Sequence, residues 1–287
     1  MAHETTTTTP IEAAELELAW YTSSIGYDPN FLGLTVDLPK LSDQAMQDVA
    51  QLKASTKHVL NYTHFSVVMS KSRRLAHFTA VNIDGAQALE LLRTGDRWYF
   101  DPRIERQYQS GPDLYRDNDL DRGHLVRRLD PVWGDRAQSA NEDTFHFTNA
   151  APQHKRLNQQ TWLDLEEYIL QNADRENIKV TVFTGPVFRA DDMLYRGEYR
   201  IPAEYWKIVV ILKEDGELSA TAYLQTQKNL IEDLEFAFGE YKTYQIPISL
   251  IETLTELDFG DLRTHDPLST LEGAVGRIIQ GPQDILL

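Results

Sequence analysis

The sequence predicts an α+β fold with a central antiparallel or mixed sheet flanked by helices. Several segments have the β-branched and aromatic composition of strands and are bounded by turn residues. They are residues 62–69, 75–83, 179–184, 205–212 and 218–224. Between the second and third of them, apolar residues from Leu157 to Leu170 recur at helical spacing. Strands and helices therefore alternate irregularly, as in an α+β domain.

The remaining elements follow from local signals. The polar residues 70–74 between the first two strands indicate a hairpin, and Glu214-Asp215-Gly216 marks another turn. Residues 143–149 alternate apolar and polar side chains, which predicts a half-buried strand. Ser42-Asp43, followed by apolar positions as far as residue 52, predicts a capped helix, and a last helix is expected around residues 250–257.

The domain organisation follows from composition. The first 15 residues contain a threonine run and few core formers, which predicts a mobile tail. Residues 16–60 mix short apolar clusters with Pro and Gly, so residues 1–60 together are predicted to be an N-terminal tail and extension, open to a role in an interface. No boundary interrupts residues 62–263, so one domain is expected over residues 61–265. Residues 266–287 are predicted to be a C-terminal tail.

The composition excludes several kinds of protein. The absence of cysteine rules out disulfides, thiol catalysis and cysteine-bound zinc. No run of 18 apolar residues occurs, so neither a membrane-spanning helix nor a membrane partner is expected. The N-terminus lacks the basic and apolar regions of a signal peptide, so the cytoplasm is the default location, with export left open.

The charge distribution is uneven. A net charge of −16 argues against non-specific binding to nucleic acids, which rests on Lys and Arg at phosphates. Residues 93–136, however, contain nine arginines and no lysine against nine acidic residues, whereas residues 213–287 contain five basic and fourteen acidic residues. A basic groove with an acidic back is compatible with this pattern.

The string Asp121-Arg122-Gly123-His124 carries the strongest chemical signal. A neutral imidazole titrates near the working pH of most enzymes, so His124 suits a general base. The planar guanidinium of Arg122 suits a phosphate, and Gly123 allows the backbone to approach one closely. Taken alone, Asp121 and Arg122 are more often a surface ion pair. Downstream, residues 143–166 read DTFHFTNAAPQHKRLNQQTWLDLE.

Together these strings resemble the DNA/RNA non-specific endonucleases of the ββα-metal group, the endonuclease G-like nucleases. In that family DRGH lies at the active site, and a strand ending in an Asn-x-x-Pro-Gln run precedes Asn-Gln, a Trp and a Glu on a helix. The matching residues, in the family's order, are Asn149, Pro152, Gln153, Asn158, Gln159, Trp162 and Glu166. The resemblance covers about residues 62–263 and implies the ββα-metal nuclease fold.

The resemblance also implies an activity and a metal ion. The chain would be an endonuclease that hydrolyses phosphodiester bonds of DNA and RNA without strong sequence specificity. His124 would activate a water molecule, and Asn158 would bind a single Mg²⁺ ion, for which Mn²⁺ can substitute. Glu166 would hold metal-bound water, and Asn149 would orient His124 or touch the substrate.

Phosphate binding is assigned by the same resemblance. Arg122 would bind the substrate phosphate together with an arginine from the upstream hairpin. Arg74 is the preferred match for that second arginine, and Arg73 is the alternative, because the register is uncertain by one residue. DNA and RNA are thus the expected partners. A homodimer is expected by analogy, and an inhibitor or regulatory partner is one way to restrain a nuclease inside its own cell.

Two alternatives stay open at this point. A catalytically silent nucleic-acid-binding or scaffolding protein on the same fold is the alternative to the enzyme, although it would have no need of His124, Asn158 and Glu166 together. The aromatic residues among the arginines, notably Trp98, Tyr99, Tyr108 and Tyr115, fit a nucleic-acid groove and a partly buried loop equally well. For the remaining candidates, His58, His64 and His77, structural roles are favoured.

Overall fold

The computed structural model describes residues 14–93, 95–155, 177–227, 242–269 and 277–279. Its strands are β1 (Ala14–Glu15), β2 (Lys40–Leu41), β3 (Val59–Asn61), β4 (Phe65–Met69), β5 (Ala76–Asp84), β6 (Tyr99–Phe100), β7 (Leu120–His124), β8 (Ala150–His154), β9 (Lys179–Val187), β10 (Met193–Tyr195), β11 (Tyr199–Ile201), β12 (Glu204–Leu212), β13 (Leu218–Thr226), β14 (Lys242–Ile246), β15 (Leu257–Asp258) and β16 (Arg277–Ile279). The α-helices in these ranges are α1 (Asp43–Gln47), α2 (Pro112–Tyr115), α3 (Ala137–Asp143) and α4 (Ile248–Thr255).

Eight of the strands form one sheet in the order β16-β14-β13-β12-β9-β5-β4-β3. Every pairing between neighbours in this sheet is antiparallel, so the predicted central sheet is confirmed in its antiparallel form. None of the helices in the described residues is long and apolar enough to cross a membrane.

Both faces of the sheet are covered. On β4, Val67 and Met69 pack into a first core on one face, and Val68 packs into a second core on the other face. This is because successive side chains of a strand point to opposite faces. The second core contains Trp206 of β12, which has no exposed surface. Burial on both faces explains why β12 has the nearly continuous apolar sequence WKIVVIL.

Part of the predicted N-terminal extension lies in these cores. Tyr21 packs into the first core, and Tyr27, Leu32 and Val36 pack into the second. The Tyr27 hydroxyl donates to the Val36 carbonyl oxygen at 2.7 Å. Residues 21–36 therefore contribute to the same cores as the predicted domain.

The first hairpin forms as predicted, with β4 antiparallel to β5. The first strand of the hairpin begins at Phe65 rather than at Tyr62, because residues 62–64 make the turn from β3. His64, in this turn, has the left-handed φ of +67°.

Helix α1 is shorter than predicted. The Ser42 side chain caps it by accepting from the Ala45 amide at 3.2 Å, as expected. The helix ends at Gln47, however, and does not reach residue 52. The next residue, Asp48, accepts from the Ser72 amide at 2.9 Å, and its carboxylate also binds the Ser70 hydroxyl. These bonds direct the chain along the first hairpin instead of continuing the helix.

The strand predicted for residues 143–149 is wrong. Helix α3 ends at Asp143, and a 3-10 turn spans Phe147–Asn149, with all seven residues of the segment buried. The polar side chains are buried because they have specific partners. The Asp143 carboxylate accepts from the Trp20 indole at 2.6 Å and from the Thr63 amide at 2.8 Å. The alternation of polar and apolar residues therefore does not separate a solvent-exposed face from a buried one.

Candidate active site

The DRGH string forms strand β7, which pairs antiparallel with β8 in a separate two-stranded ladder. His124 lies opposite Ala150, Gly123 opposite Ala151, and Asp121 opposite Gln153. The two halves of the sequence signature, 120–124 and 150–154, are therefore brought side by side.

This ladder is fixed to the first face of the main sheet. Leu125 and Val126, which follow β7, and Ala151 of β8 belong to the first core. The Tyr205 hydroxyl of β12 donates to the Pro152 carbonyl at 2.7 Å. Packing and a buried hydrogen bond thus hold the backbone on both sides of His124.

Asn149 lies at the base of the ladder and has no exposed surface. Its side-chain oxygen accepts from the Val126 amide at 2.8 Å, and its NH₂ group donates to the carbonyls of Val126 and Thr144, each at 3.0 Å. Its backbone carbonyl accepts from the Leu125 amide at 3.0 Å. Asn149 therefore fixes the chain directly after His124. The part of the chain that the structure describes shows no hydrogen bond between Asn149 and the His124 ring.

The His124 ring lies between two aromatic side chains. The Trp98 ring is 4.8 Å away and tilted by 49°, and the Phe145 ring is 5.1 Å away, edge-on at 85°. The guanidinium of Arg122 also lies against Trp98, 5.6 Å from the centre of its ring. Trp98 is 5 % exposed, so it acts as a buried wall of the site.

The imidazole Nε2 of His124 is buried and has no hydrogen-bond partner among the described residues. Burial lowers the pKa of His124, and the positive charges of Arg93, Arg128 and Arg122 lower it further against the opposing charge of Asp96, to about 3. The ring is therefore neutral near pH 7, the state in which it can accept a proton.

Arginines gather around this ring. Arg93 forms an ion pair with Asp96, and the Arg93 interaction is the largest cause of a lowered pKa of the Asp96 carboxyl. Burial and the nearby charges of Arg93 and Arg127 lower the pKa of Arg128. Arg122 is exposed. Several arginines of the segment 93–136 therefore act on the His124 ring, with Asp96 as an opposing charge.

Gln153 packs directly on Gly123. A Cβ added to residue 123 would lie 2.7 Å from the Gln153 Cγ and closer still to its Oε1. The Gln153 amide is completely buried, and within the described ranges neither its oxygen nor its nitrogen has a partner. The Tyr115 hydroxyl is likewise buried and has no hydrogen-bond partner among the described residues. Burial raises the pKa of Tyr115, and the positive charge of Arg122 opposes this shift.

The two hairpin arginines are held by acidic side chains. Arg73 donates to the buried Asp192 at 2.7 Å and to the Arg189 carbonyl at 2.6 Å. Arg74 donates to Glu198 at 2.6 Å and lies over the Tyr199 ring. Within the described residues no direct contact joins either arginine to His124 or Arg122. Their role in binding phosphate stays a prediction.

Asn158, Gln159, Trp162 and Glu166 lie outside the described residues. The metal ligand and the holder of metal-bound water therefore stay predictions from the family resemblance. In the ranges that the structure does describe, no three His, Asp or Glu side chains are close enough together to hold a metal ion.

A comparison with known protein families shows the family to which the chain belongs. The sequence model of the DNA/RNA non-specific endonucleases matches residues 43–264, well over half of the chain. The chain belongs to this family. The resemblance based on DRGH and the downstream residues is thereby confirmed.

Relatives and a solved structure agree with this assignment. An uncharacterized protein of Sinorhizobium fredii is 40% identical over 82% of the chain. Mitochondrial endonuclease G of Bos taurus is 26% identical over 77% of the chain and 72% of its own length. The chain spans only 39% of the Sinorhizobium protein. A crystal structure of the EndoG/EndoGI complex matches with a TM-score of 0.57 and 19% identity over 76% of this chain and 91% of that one, which confirms the fold.

Some members of the site were not assigned a role from the sequence. Arg93, Asp96 and Phe145 lie 31, 28 and 21 residues from His124 in the chain, but beside it in space. The arginine-rich composition of residues 93–136 was the available signal for Arg93. For Trp98 the sequence left a groove and a partly buried loop open; the side chain is buried and contacts His124, and a role in a nucleic-acid groove stays a prediction.

Proposed function

We propose that this chain is a magnesium-dependent endonuclease that hydrolyses phosphodiester bonds of DNA and RNA without strong sequence specificity. The observation that carries the proposal is the buried, unpaired Nε2 of His124 beside a cluster of arginines. A neutral base next to positive charge suits the attack of water on an anionic phosphodiester. The names of the curated relatives, Endonuclease G and Nuclease, support the same class of reaction.

In the proposed reaction His124 removes a proton from the attacking water. The water oxygen forms a new bond to phosphorus, the bond from phosphorus to the leaving oxygen breaks, and the proton passes to the imidazole. A phosphate bound beside the ring raises the pKa of His124, because a negative charge favours the imidazolium form. The Trp98 and Phe145 rings restrict the orientation of the imidazole.

Arg122 is the proposed phosphate ligand. It is exposed, it neighbours His124 in β7, and its guanidinium presents several donors to phosphate oxygens. Asn149 is the proposed positioning residue, because its amide holds the backbone of Val126, two residues after His124.

Magnesium is the proposed metal ion because of the donor chemistry of the residues that the family resemblance assigns to it. The amide oxygen of Asn158 and the carboxylate of Glu166 belong to the class of hard oxygen donors that magnesium prefers. Asn158 is the proposed direct ligand, and Glu166 is proposed to hold water of its coordination shell. Bound magnesium would supply positive charge to stabilise the phosphoryl group and the leaving oxygen.

The direct test is cleavage of supercoiled plasmid and of single-stranded RNA by the purified chain. Cleavage with magnesium or manganese, and none with excess EDTA, is the expected result. The His124→Ala variant, prepared identically, controls for a contaminating nuclease. Tight binding of DNA with no cleavage under any metal condition would instead favour the catalytically silent nucleic-acid-binding protein. Location in the cytoplasm and assembly as a homodimer stay predictions.

A further inference from the structure

A cavity of about 470 Å³ opens beside the His124 site. Its size is within the range of small-molecule binding sites. Phe145 lines this cavity and also lies edge-on to the His124 ring at 5.1 Å. Phe145 therefore borders both the cavity and the proposed general base.

One wall of the cavity is formed by a single face of α3 and the residues after it. Gln138, Asn141, Glu142 and Phe145 have the spacing i, i+3, i+4 and i+7, which places them on one side of a helix. The Glu142 carboxylate accepts one hydrogen bond, from the Gln138 amide at 2.8 Å, and can accept more. The side-chain oxygen of Asn141 accepts a hydrogen bond from Arg128 at 3.0 Å. The NH₂ group of Asn141 can therefore donate to a bound molecule.

The other lining residues are Gly95, Asp96, Arg97 and Tyr99, and the Asp96 carboxylate is held in an ion pair with Arg93. Tyr99 is half-buried, and the Arg97 guanidinium lies 5.4 Å from the centre of its ring. Aromatic rings and guanidinium planes both stack on nucleobases. Arg97 is exposed, so it is also accessible to a phosphate next to the stacked base.

We propose that this cavity binds the base of a nucleotide adjacent to the scissile phosphate, with preference for a base that carries an exocyclic amino group. The proposal rests on the proposed nuclease function. The Glu142 carboxylate repels a phosphate but accepts from the amino group of cytosine, adenine or guanine. Thymine and uracil present carbonyl oxygens on both sides of their single N–H and are disfavoured beside a carboxylate. Glu142 thus sets a base preference in an enzyme that otherwise contacts the backbone.

The test separates base binding from cleavage. Affinities for labelled single-stranded oligo-dC and oligo-dT are measured by fluorescence anisotropy in the His124→Ala variant, at slightly alkaline pH. One hydrogen bond to a charged group predicts about tenfold tighter binding of oligo-dC. Glu142→Gln, whose amide can donate to a carbonyl, should reduce this difference to less than about twofold. Glu217→Gln removes the same charge at an exposed position outside the cavity and should preserve the difference.

The outcomes are distinguishable. Equal affinities for oligo-dC and oligo-dT, or equal effects of the Glu142 and Glu217 substitutions, would overturn the base subsite while wild-type plasmid cleavage still supports the nuclease. An absence of plasmid cleavage by the wild-type chain would overturn the proposed function and the subsite with it. If Glu142→Gln does not fold, the exposed Gln138→Ala provides the second test. This change frees an oxygen of Glu142 and should widen the preference for oligo-dC, and an unchanged or smaller preference would contradict the proposal.

Discussion

Gly123 and Gln153 are packed in direct contact across the β7–β8 ladder, and no side chain larger than hydrogen fits at residue 123 while Gln153 keeps its place. The glycine thus has a packing role besides its place in the DRGH string. It allows a buried amide to lie against the strand that carries His124. Each half of the sequence signature supplies one partner of this contact, which joins strands β7 and β8.

Gly123→Ala should destabilise the fold and reduce cleavage. The added methyl group displaces the Gln153 amide, and overpacking of this kind costs about 1–3 kcal/mol. Urea unfolding of Gly123→Ala, Gln153→Ala and the double variant measures the effect. The double variant should be more stable than the sum of the single changes predicts, because removal of the Gln153 amide relieves the overlap. Additive losses would show that the two residues do not compete for the same space.

His124→Ala should abolish cleavage while leaving the fold and DNA binding intact. Loss of a general base reduces the rate by about 10²–10⁴-fold. Cleavage of plasmid and circular dichroism are compared with those of His58→Ala, which removes a half-buried histidine that the resemblance does not place in the site. A His124→Ala enzyme that keeps more than about a tenth of the wild-type rate is incompatible with the proposed role.

The pH dependence of the rate should not follow an ordinary histidine. The pKa of His124 is lowered to about 3, so the ring is neutral, and active as a base, throughout the range from pH 5 to 8. The acid limb of kcat/KM, which reports the free enzyme, should therefore lie below pH 5 rather than near the usual pKa of about 6.5. Initial rates with short oligonucleotides at fixed metal concentration measure it. An acid limb near pH 6.5 in a folded enzyme would contradict the burial of this ring.

Stability should fall as the pH falls below 6.5. Burial lowers the pKa of His77 to about 4, although Asp48 opposes this. The unfolded chain then binds a proton below pH 6.5 that the folded chain does not bind until about pH 4, so acid favours unfolding. The shift corresponds to a loss of about 3 kcal/mol by pH 4. Urea unfolding of the wild type, His77→Gln and His58→Gln between pH 7 and pH 4 tests this. His77→Gln should reduce the pH dependence and His58→Gln should not, and the dependence that remains in His77→Gln is due to other buried histidines such as His124.

The sequence predicted the strands of the main sheet better than the surroundings of the site. β12 and β13 were recognisable because each is buried on both faces and the turn Glu214-Asp215-Gly216 separates them. The strand prediction for residues 143–149 was wrong because Asp143 and Asn149 have buried hydrogen-bond partners, which the periodicity of the sequence does not reveal. Arg93, unlike Arg122 of the DRGH string, was detectable as composition only, since its approach to His124 depends on how a loop folds against β7.

Asn158→Ala should weaken the response to magnesium together with the rate. Loss of an amide ligand lowers the affinity for the ion, so the magnesium concentration needed for half-maximal rate should rise. Asn158→Asp should keep affinity but disturb the charge balance at the phosphate, because it adds a negative charge. Magnesium titrations of cleavage, with Asn149→Ala as a control for a structural amide, separate the two effects. If both variants of Asn158 match the wild type at every magnesium concentration, this residue is a helix cap rather than a ligand.

The binding of nucleic acid should depend steeply on salt in spite of the net charge of −16. Long-range repulsion from the acidic residues 213–287 is screened over about 10 Å at 0.1 M salt, which would strengthen binding as salt rises. Arginines in direct contact with phosphate have the opposite effect, because each contact lowers log K by about 0.7–0.9 per unit of log salt. Contact should dominate, since Arg122, Arg93 and Arg128 are concentrated around His124. Affinity should therefore fall with increasing sodium chloride.

The arginines can be tested one at a time in the cleavage-deficient His124→Ala background. Arg122→Ala should reduce the magnitude of the salt slope by about 0.7–0.9, the value of one phosphate contact. Arg263→Ala serves as the matched control, because it removes the same charge from an exposed position in the acidic C-terminal part of the chain. It should lower affinity slightly at low salt and leave the slope unchanged. Affinity that is flat or rises with salt in the parent protein would mean that no basic groove exists, and equal slopes for Arg122→Ala and its parent would remove Arg122 from the phosphate site.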